Sequence, residues 1–184
     1  MMRRLSFIGA AAGTFFASVS CAQTVPRIAV DLALGVVTTT QSAGATWFQA
    51  TSAPMVSADL AVRLGGPGHT GAVIVAGYSV DGVASDRLGI CNPAPTGSCK
   101  EPFPTLSGLS FGVGLKEAVG SRWLFGATVG VASYSSFARF ADLDASWRFA
   151  SHTAFVAKAG YFDMPFDGGR ARFNPLKFGV RLVY

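Results

Sequence analysis

The chain has 184 residues but only two histidines and three cysteines, and Asp, Glu, Lys and Arg together make up 14% of it. Ordinary soluble domains carry roughly 25% charged residues, so a broad water-facing surface is poorly provided for. With so little His and Cys and no zinc spacing, no metal site is expected. A phosphate-binding loop ending in Gly-Lys-Ser/Thr is also missing, and neither a cofactor nor a catalytic residue set is implied. Beyond residue 22 no stretch reaches about 18 consecutive apolar residues, which excludes a transmembrane helix on length. The basic excess, fifteen Lys and Arg against ten Asp and Glu, is slight. It is too mild to argue for a nucleic-acid partner.

The first 22 residues explain part of the apolar content. Arg3 and Arg4 precede an apolar run from Leu5 to Val19, and the small residues Ser20 and Ala22 follow. This is the pattern of a secretory signal peptide over residues 1–22, with the exported chain starting at Gln23. The competing reading makes Cys21 a lipid-modified N-terminus, with Ser18 standing where such signals usually carry Leu. Loss of Arg3 and Arg4 leaves thirteen basic residues against ten acidic ones. If Cys21 leaves with the leader, Cys91 and Cys99 remain in "CNPAPTGSC". An even pair in an oxidising compartment is expected to form a disulfide.

What is plentiful is alternation. Residues 23–184 contain eight segments in which every second residue is apolar, the mark of strands. In the first, Ile28, Val30, Leu32, Leu34 and Val36 oppose Ala29, Asp31, Ala33 and Gly35. In the second, Val56, Ala58, Leu60, Val62 and Leu64 oppose Ser57, Asp59, Ala61 and Arg63. Residues 72–80 are apolar on both faces, and Ile74, Tyr78 and Val80 are set outward. Segments 107–116, 122–132, 138–149 and 153–162 alternate again, and so does 177–184, which sets Phe178, Val180, Leu182 and Tyr184 against Lys177, Gly179 and Arg181. Strands of roughly ten residues have the length that a tilted strand needs to cross a bilayer.

Three connections read as long loops, residues 38–54, 81–106 and 163–175, and those between them as short turns. Such asymmetry fits an outer-membrane barrel with both termini on the short-turn, periplasmic side; the connection near Tyr134 departs from it by being short. The soluble alternative is a lipocalin-type barrel with its large apolar residues inside. The second face, however, is mainly Gly, Ala and Ser, which suits the narrow interior of eight strands better than a water-facing wall. Aromatic residues gather at the strand ends, as at membrane interfaces: Trp123, Trp147, Phe149 and Tyr184 at one, Tyr78, Tyr134, Phe137 and Tyr161 at the other.

With the apolar faces on lipid, Asp31, Asp59, Arg63, Lys116, Asp142, Asp144, Arg148, Lys158, Lys177 and Arg181 turn into the lumen. Asp144 and Lys158 lie equally far from the turn at Ser151 and should be cross-strand neighbours. Closing the barrel brings Asp31 near Arg181. The interior of eight strands is just wide enough for side chains, so a network of mutually satisfied charges is expected ahead of an ion pathway or a catalytic carboxylate.

Residues 23–184 resemble the OmpA/OmpX type of small outer-membrane β-barrel, most specifically in the closing "FGVRLVY". The resemblance implies an all-β fold, an eight-stranded antiparallel up-and-down transmembrane β-barrel in the bacterial outer membrane. It further implies that Phe178, Val180, Leu182 and Tyr184 are what the barrel-assembly machinery recognises. Outer-membrane lipid and lipopolysaccharide are then the immediate partners, and a monomer is expected. Relatives that are barrel alone are associated with surface adhesion, resistance to host factors or envelope integrity. The expected function is therefore non-enzymatic: envelope integrity, or surface contact through extracellular loops. Trp47, Phe48, the Cys91–Cys99 loop, Phe166, Arg170 and Arg172 are the candidate contacts for a host or surface ligand. The alternatives are an outer-leaflet lipid-modifying enzyme or a narrow channel. Enzymes of that kind place a His with a Ser and an acidic residue near the outer leaflet, whereas His69 and His152 map to periplasmic turns.

Overall fold

The computed structural model describes residues 23–43, 46–49, 53–81, 107–134, 136–166 and 169–184. The expected leader with Cys21 and the Cys91–Cys99 pair lie outside the described residues. All regular structure among those described is strand: β1 (Ile28–Ala43), β2 (Thr46–Gln49), β3 (Ala53–Arg63), β4 (Thr70–Asp81), β5 (Ser107–Val119), β6 (Trp123–Ser133), β7 (Phe137–Ala150), β8 (Thr153–Phe166) and β9 (Gly169–Val183). Each pairs antiparallel with its neighbour, and β2 and β3 lie one above the other along β1, so nine strands make eight staves. β9 closes onto β1 through fifteen register pairs, from Ala29 opposite Val183 to Ala43 opposite Gly169. Beyond them, Ile28 and Tyr184 exchange backbone hydrogen bonds of 3.1 and 2.9 Å.

The burial pattern is inverted relative to a water-soluble barrel. Leu34 is 66% exposed, Leu115 62%, Leu143 65% and Phe178 59%, whereas Lys177 is 3% and Arg181 0% exposed. Every stave carries such an outward apolar belt, for example Ile28–Val36 on β1, Val56–Val62 on β3 with Leu64 just beyond it, and Leu176–Leu182 on β9 with Tyr184 just beyond it. About nine residues at ~3.3 Å each, tilted by ~40°, give a belt of about 23 Å, close to the apolar height of a membrane barrel. Trp123 stacks on Phe125, Phe155 on Trp147 and Phe149, and His152 on Tyr184 at the end that holds Gln23 and Tyr184, the terminus end of the described residues. These rings form one half of an aromatic girdle.

Both mouths are filled. At the terminus end Val25 is buried with Val73, Ala118 and Leu124, and its amide donates to the Gly68 carbonyl at 2.9 Å. At the far end Met55, Phe140, Phe162, Met164 and Phe173 form an apolar plug with Tyr134 against it. Tyr134 was expected at the lipid interface. Its ring instead packs beside Phe162 and Phe173, and its hydroxyl meets Ser79 Oγ at 3.0 Å.

Two of the three expected long loops are largely strand. β1 runs on to Ala43 and pairs with β2, while β8 and β9 leave only residues 167–168 between them. Arg170 and Arg172, expected on a loop, therefore stand on the outer face of β9, and Phe166 ends β8. Trp47 and Phe48 are positions of β2. The alternation simply continues, with Met164, Ala171 and Phe173 inward. Pro175, which reads as a strand breaker, sits where the β8–β9 ladder is interrupted, between the Ala159–Leu176 and Phe162–Phe173 pairs. A proline lacks the donor for a ladder bond, so it fits at that break.

Candidate functional site

The polar feature most distinctive of this fold is the charge cluster in the lumen between the two plugs. Arg181 on β9 reaches Asp31 on β1 with two hydrogen bonds, Nε to Oδ1 at 2.6 Å and NH2 to Oδ2 at 2.8 Å. The same guanidinium donates to Asp144 Oδ1 at 2.6 Å and to Ser146 Oγ at 3.0 Å, both on β7. Lys116 on β5 bonds both oxygens of Asp144 at 3.0 Å. Lys158 on β8 lies 2.6 Å from Asp31 and 2.7 Å from Asp59. Lys177 and Asp142 form a looser pair at 3.8 Å. Four cations thus meet four carboxylates, drawn from β1, β3, β5, β7, β8 and β9. Isolated buried charges are costly, and mutual hydrogen bonding is how a narrow interior tolerates them.

Sequence spacing locates two of these relationships. Asp31 stands opposite Arg181 and Asp144 opposite Lys158 in the ladders. The first pair is bonded. Asp144 and Lys158, although in register, take other partners across the lumen. Arg63 and Arg148 lie apart from the cluster: Arg63 donates to the Val25 carbonyl of the mouth plug, and Arg148 Nε has no partner among the described residues. Ser146 has a direct role that alternation alone could not reveal.

Three of the carboxylates lean over glycines. Asp59 stands opposite Gly77, Asp144 opposite Gly126 and Asp142 opposite Gly160. A methyl group on any of these glycines would collide with the facing carboxylate. Gly126→Ala is accordingly expected to lose about 1–3 kcal/mol through overpacking. Gly66→Ala, where nothing lies within 4 Å, is the control and should be near neutral. Urea unfolding in micelles measures both, and equal stability of the two variants would refute the carboxylate-seat explanation.

Among the charges, reaching from Ala61 and Val75 to Phe140 of the far plug, lies a cavity of about 20 Å³, lined also by Ser110, Thr128 and the four aspartates. That is room for about one water. Ser110 also belongs to a G-x-S-x-G pattern, Gly108–Gly112. A nucleophile elbow needs a sharp strand-to-helix turn, whereas this pattern runs straight along the first half of β5,. His69 and His152 meet the backbone carbonyls of Gln23 at 3.0 Å and Val183 at 3.1 Å, both at the terminus end.

An inverted eight-stranded antiparallel barrel with an apolar belt and a charge-paired lumen has the transmembrane β-barrel fold. No family model and no curated protein matches the chain. Among solved structures it is similar to Neisserial surface protein A (NspA), with a TM-score of 0.50 and 12% identity over 89% of this chain and 100% of that one. Weaker likenesses are to a de novo designed transmembrane β-barrel (TM-score 0.47, 12% identity, 87% and 98% covered) and to Ail, the attachment invasion locus protein of Yersinia pestis (0.46, 9%, 84% and 98%). At these identities what is shared is the fold.

Proposed function

We propose that the chain is a barrel of the bacterial outer membrane, exported by residues 1–22 and inserted through the β9 face of Phe178, Val180, Leu182 and Tyr184. In this reading it neither conducts nor catalyses, and it serves envelope integrity or surface contact from the end away from its termini. The supporting observation is the lumen: four cations and four carboxylates meet directly, and an apolar plug lies on either side. A side-chain-filled interior leaves the outer wall and the far end as the surfaces on which such a barrel acts. Trp47, Phe48, Phe166 and the Cys91–Cys99 disulfide belong to that contact surface in this proposal.

The test joins three measurements. Outer-membrane fractions run with and without boiling should show the mobility shift of a resistant barrel, and the folded protein in planar bilayers should hold the baseline current. Its incubation with lipopolysaccharide should leave the acyl chains unchanged. Steady ohmic steps would overturn the packed-lumen reading and favour a channel, and acyl release would favour an enzyme.

A further inference from the structure

The outer wall is almost free of charge. Among the described outward-facing strand positions, the ionisable acids and bases are Glu117, near the terminus end, and Arg139, Asp163, Arg170 and Arg172 at the far end. The last four occupy three adjoining strands. Arg139 on β7 stands opposite Asp163 on β8, and Asp163 opposite Arg172 on β9, so the three share one register row. Arg170 lies one outward position further along β9 and forks onto Asp163 through Nε, at 3.1 Å, and NH2. Three guanidiniums surround one carboxylate, a local excess of two positive charges.

The height of the row gives it meaning. Tyr161 and Leu176 mark the edge of the apolar belt on β8 and β9, and the row begins at the next outward positions beyond Tyr161 and Asn174. In the membrane placement proposed above, charges there face neither lumen nor hydrocarbon but the headgroup layer of the leaflet at the far end. Arg139 and Arg172 are two strand spacings apart, roughly 10 Å, a gap that two arginine side chains can close on one anion. Guanidinium forks match phosphate oxygens bidentately, and the interfacial setting screens the attraction less than bulk water does.

We propose that Arg139 and Arg172, arranged around the Asp163–Arg170 pair, form an outer-wall site for the phosphate of a phosphorylated glycolipid in that leaflet. The inference rests on the membrane orientation proposed above. The site holds its lipid sideways against β7–β9, and Asp163 keeps Arg170 aligned while limiting the charge of the row.

The test uses full-length protein in phosphatidylcholine nanodiscs doped with bis-phosphorylated lipid A, with retained lipid counted by native mass spectrometry. Wild-type protein should retain lipid A about tenfold or more above both dephosphorylated lipid A and the R139Q/R172Q variant, the scale of charge-assisted hydrogen bonds. Asp163→Asn should bind at least as well as wild type. Equal retention by the double variant, or equal retention of phosphorylated and dephosphorylated lipid, overturns the site. If the boiling-dependent mobility shift persists in the same samples, the barrel reading survives that failure; loss of the shift in wild type overturns both.

Discussion

Replacing Arg181 with Ala is expected to remove about 3–5 kcal/mol of folding free energy, the scale for breaking a buried ion pair from one side. Four hydrogen bonds vanish together, two to Asp31 and one each to Asp144 and Ser146. The larger penalty is what remains. Asp31 keeps only Lys158 and Asp144 only Lys116, so the cluster is left with four carboxylates against three cations away from water. Removing both partners, as in D31A/R181A, should recover part of the loss, because an unpaired charge costs more than a missing pair. Equilibrium urea unfolding in lipid vesicles, followed by tryptophan fluorescence, measures the cycle. If R181A costs less than about 1 kcal/mol, as a solvent-exposed pair would, water must enter freely and the packed-lumen account fails.

Leu60→Arg separates the two possible environments of the outer wall. Leu60 lies at the centre of the β3 belt and is 43% exposed. An arginine at the bilayer midplane costs about 2–4 kcal/mol, whereas the same change on a water-facing wall falls within about ±0.5 kcal/mol. The expected result is the large loss in vesicles. A neutral outcome in vesicles, together with a variant more soluble without detergent, would instead show that water bathes the belt.

The outer wall was the most legible part of this protein. A two-residue period needs no knowledge of distant contacts, so the faces of Ile28–Val36, Leu109–Leu115 and Phe178–Tyr184 could be read directly. Register across one tight turn was also readable, which placed Asp144 opposite Lys158, and barrel closure placed Asp31 opposite Arg181. The bonding partners were not. Lys158 joins Asp31 and Asp59 from strands far away in sequence, because a long flexible side chain in a narrow tube reaches opposite walls as easily as its neighbour. Strand length was misjudged for another reason. Gly, Pro and charged residues at 163–175 resemble loop chemistry, yet the ladder gap at Pro175 and the outward Asp163–Arg170 pair accommodate them within strands. The Val25 plug carried no periodic signal at all, since a single inserted residue has none.

The seam between β1 and β9 also bears on how this barrel persists in time. Its fifteen register pairs join the two most distant regions of the described chain, the slowest kind of contact to form. Until they form, β1 and β9 are naked edges, open to pairing with any other strand. Once they form, no stave can peel away alone, because each is held on both sides. The seam therefore acts as a latch: late and hazardous to close, and then a barrier that sets the lifetime of the folded ring independently of its equilibrium stability.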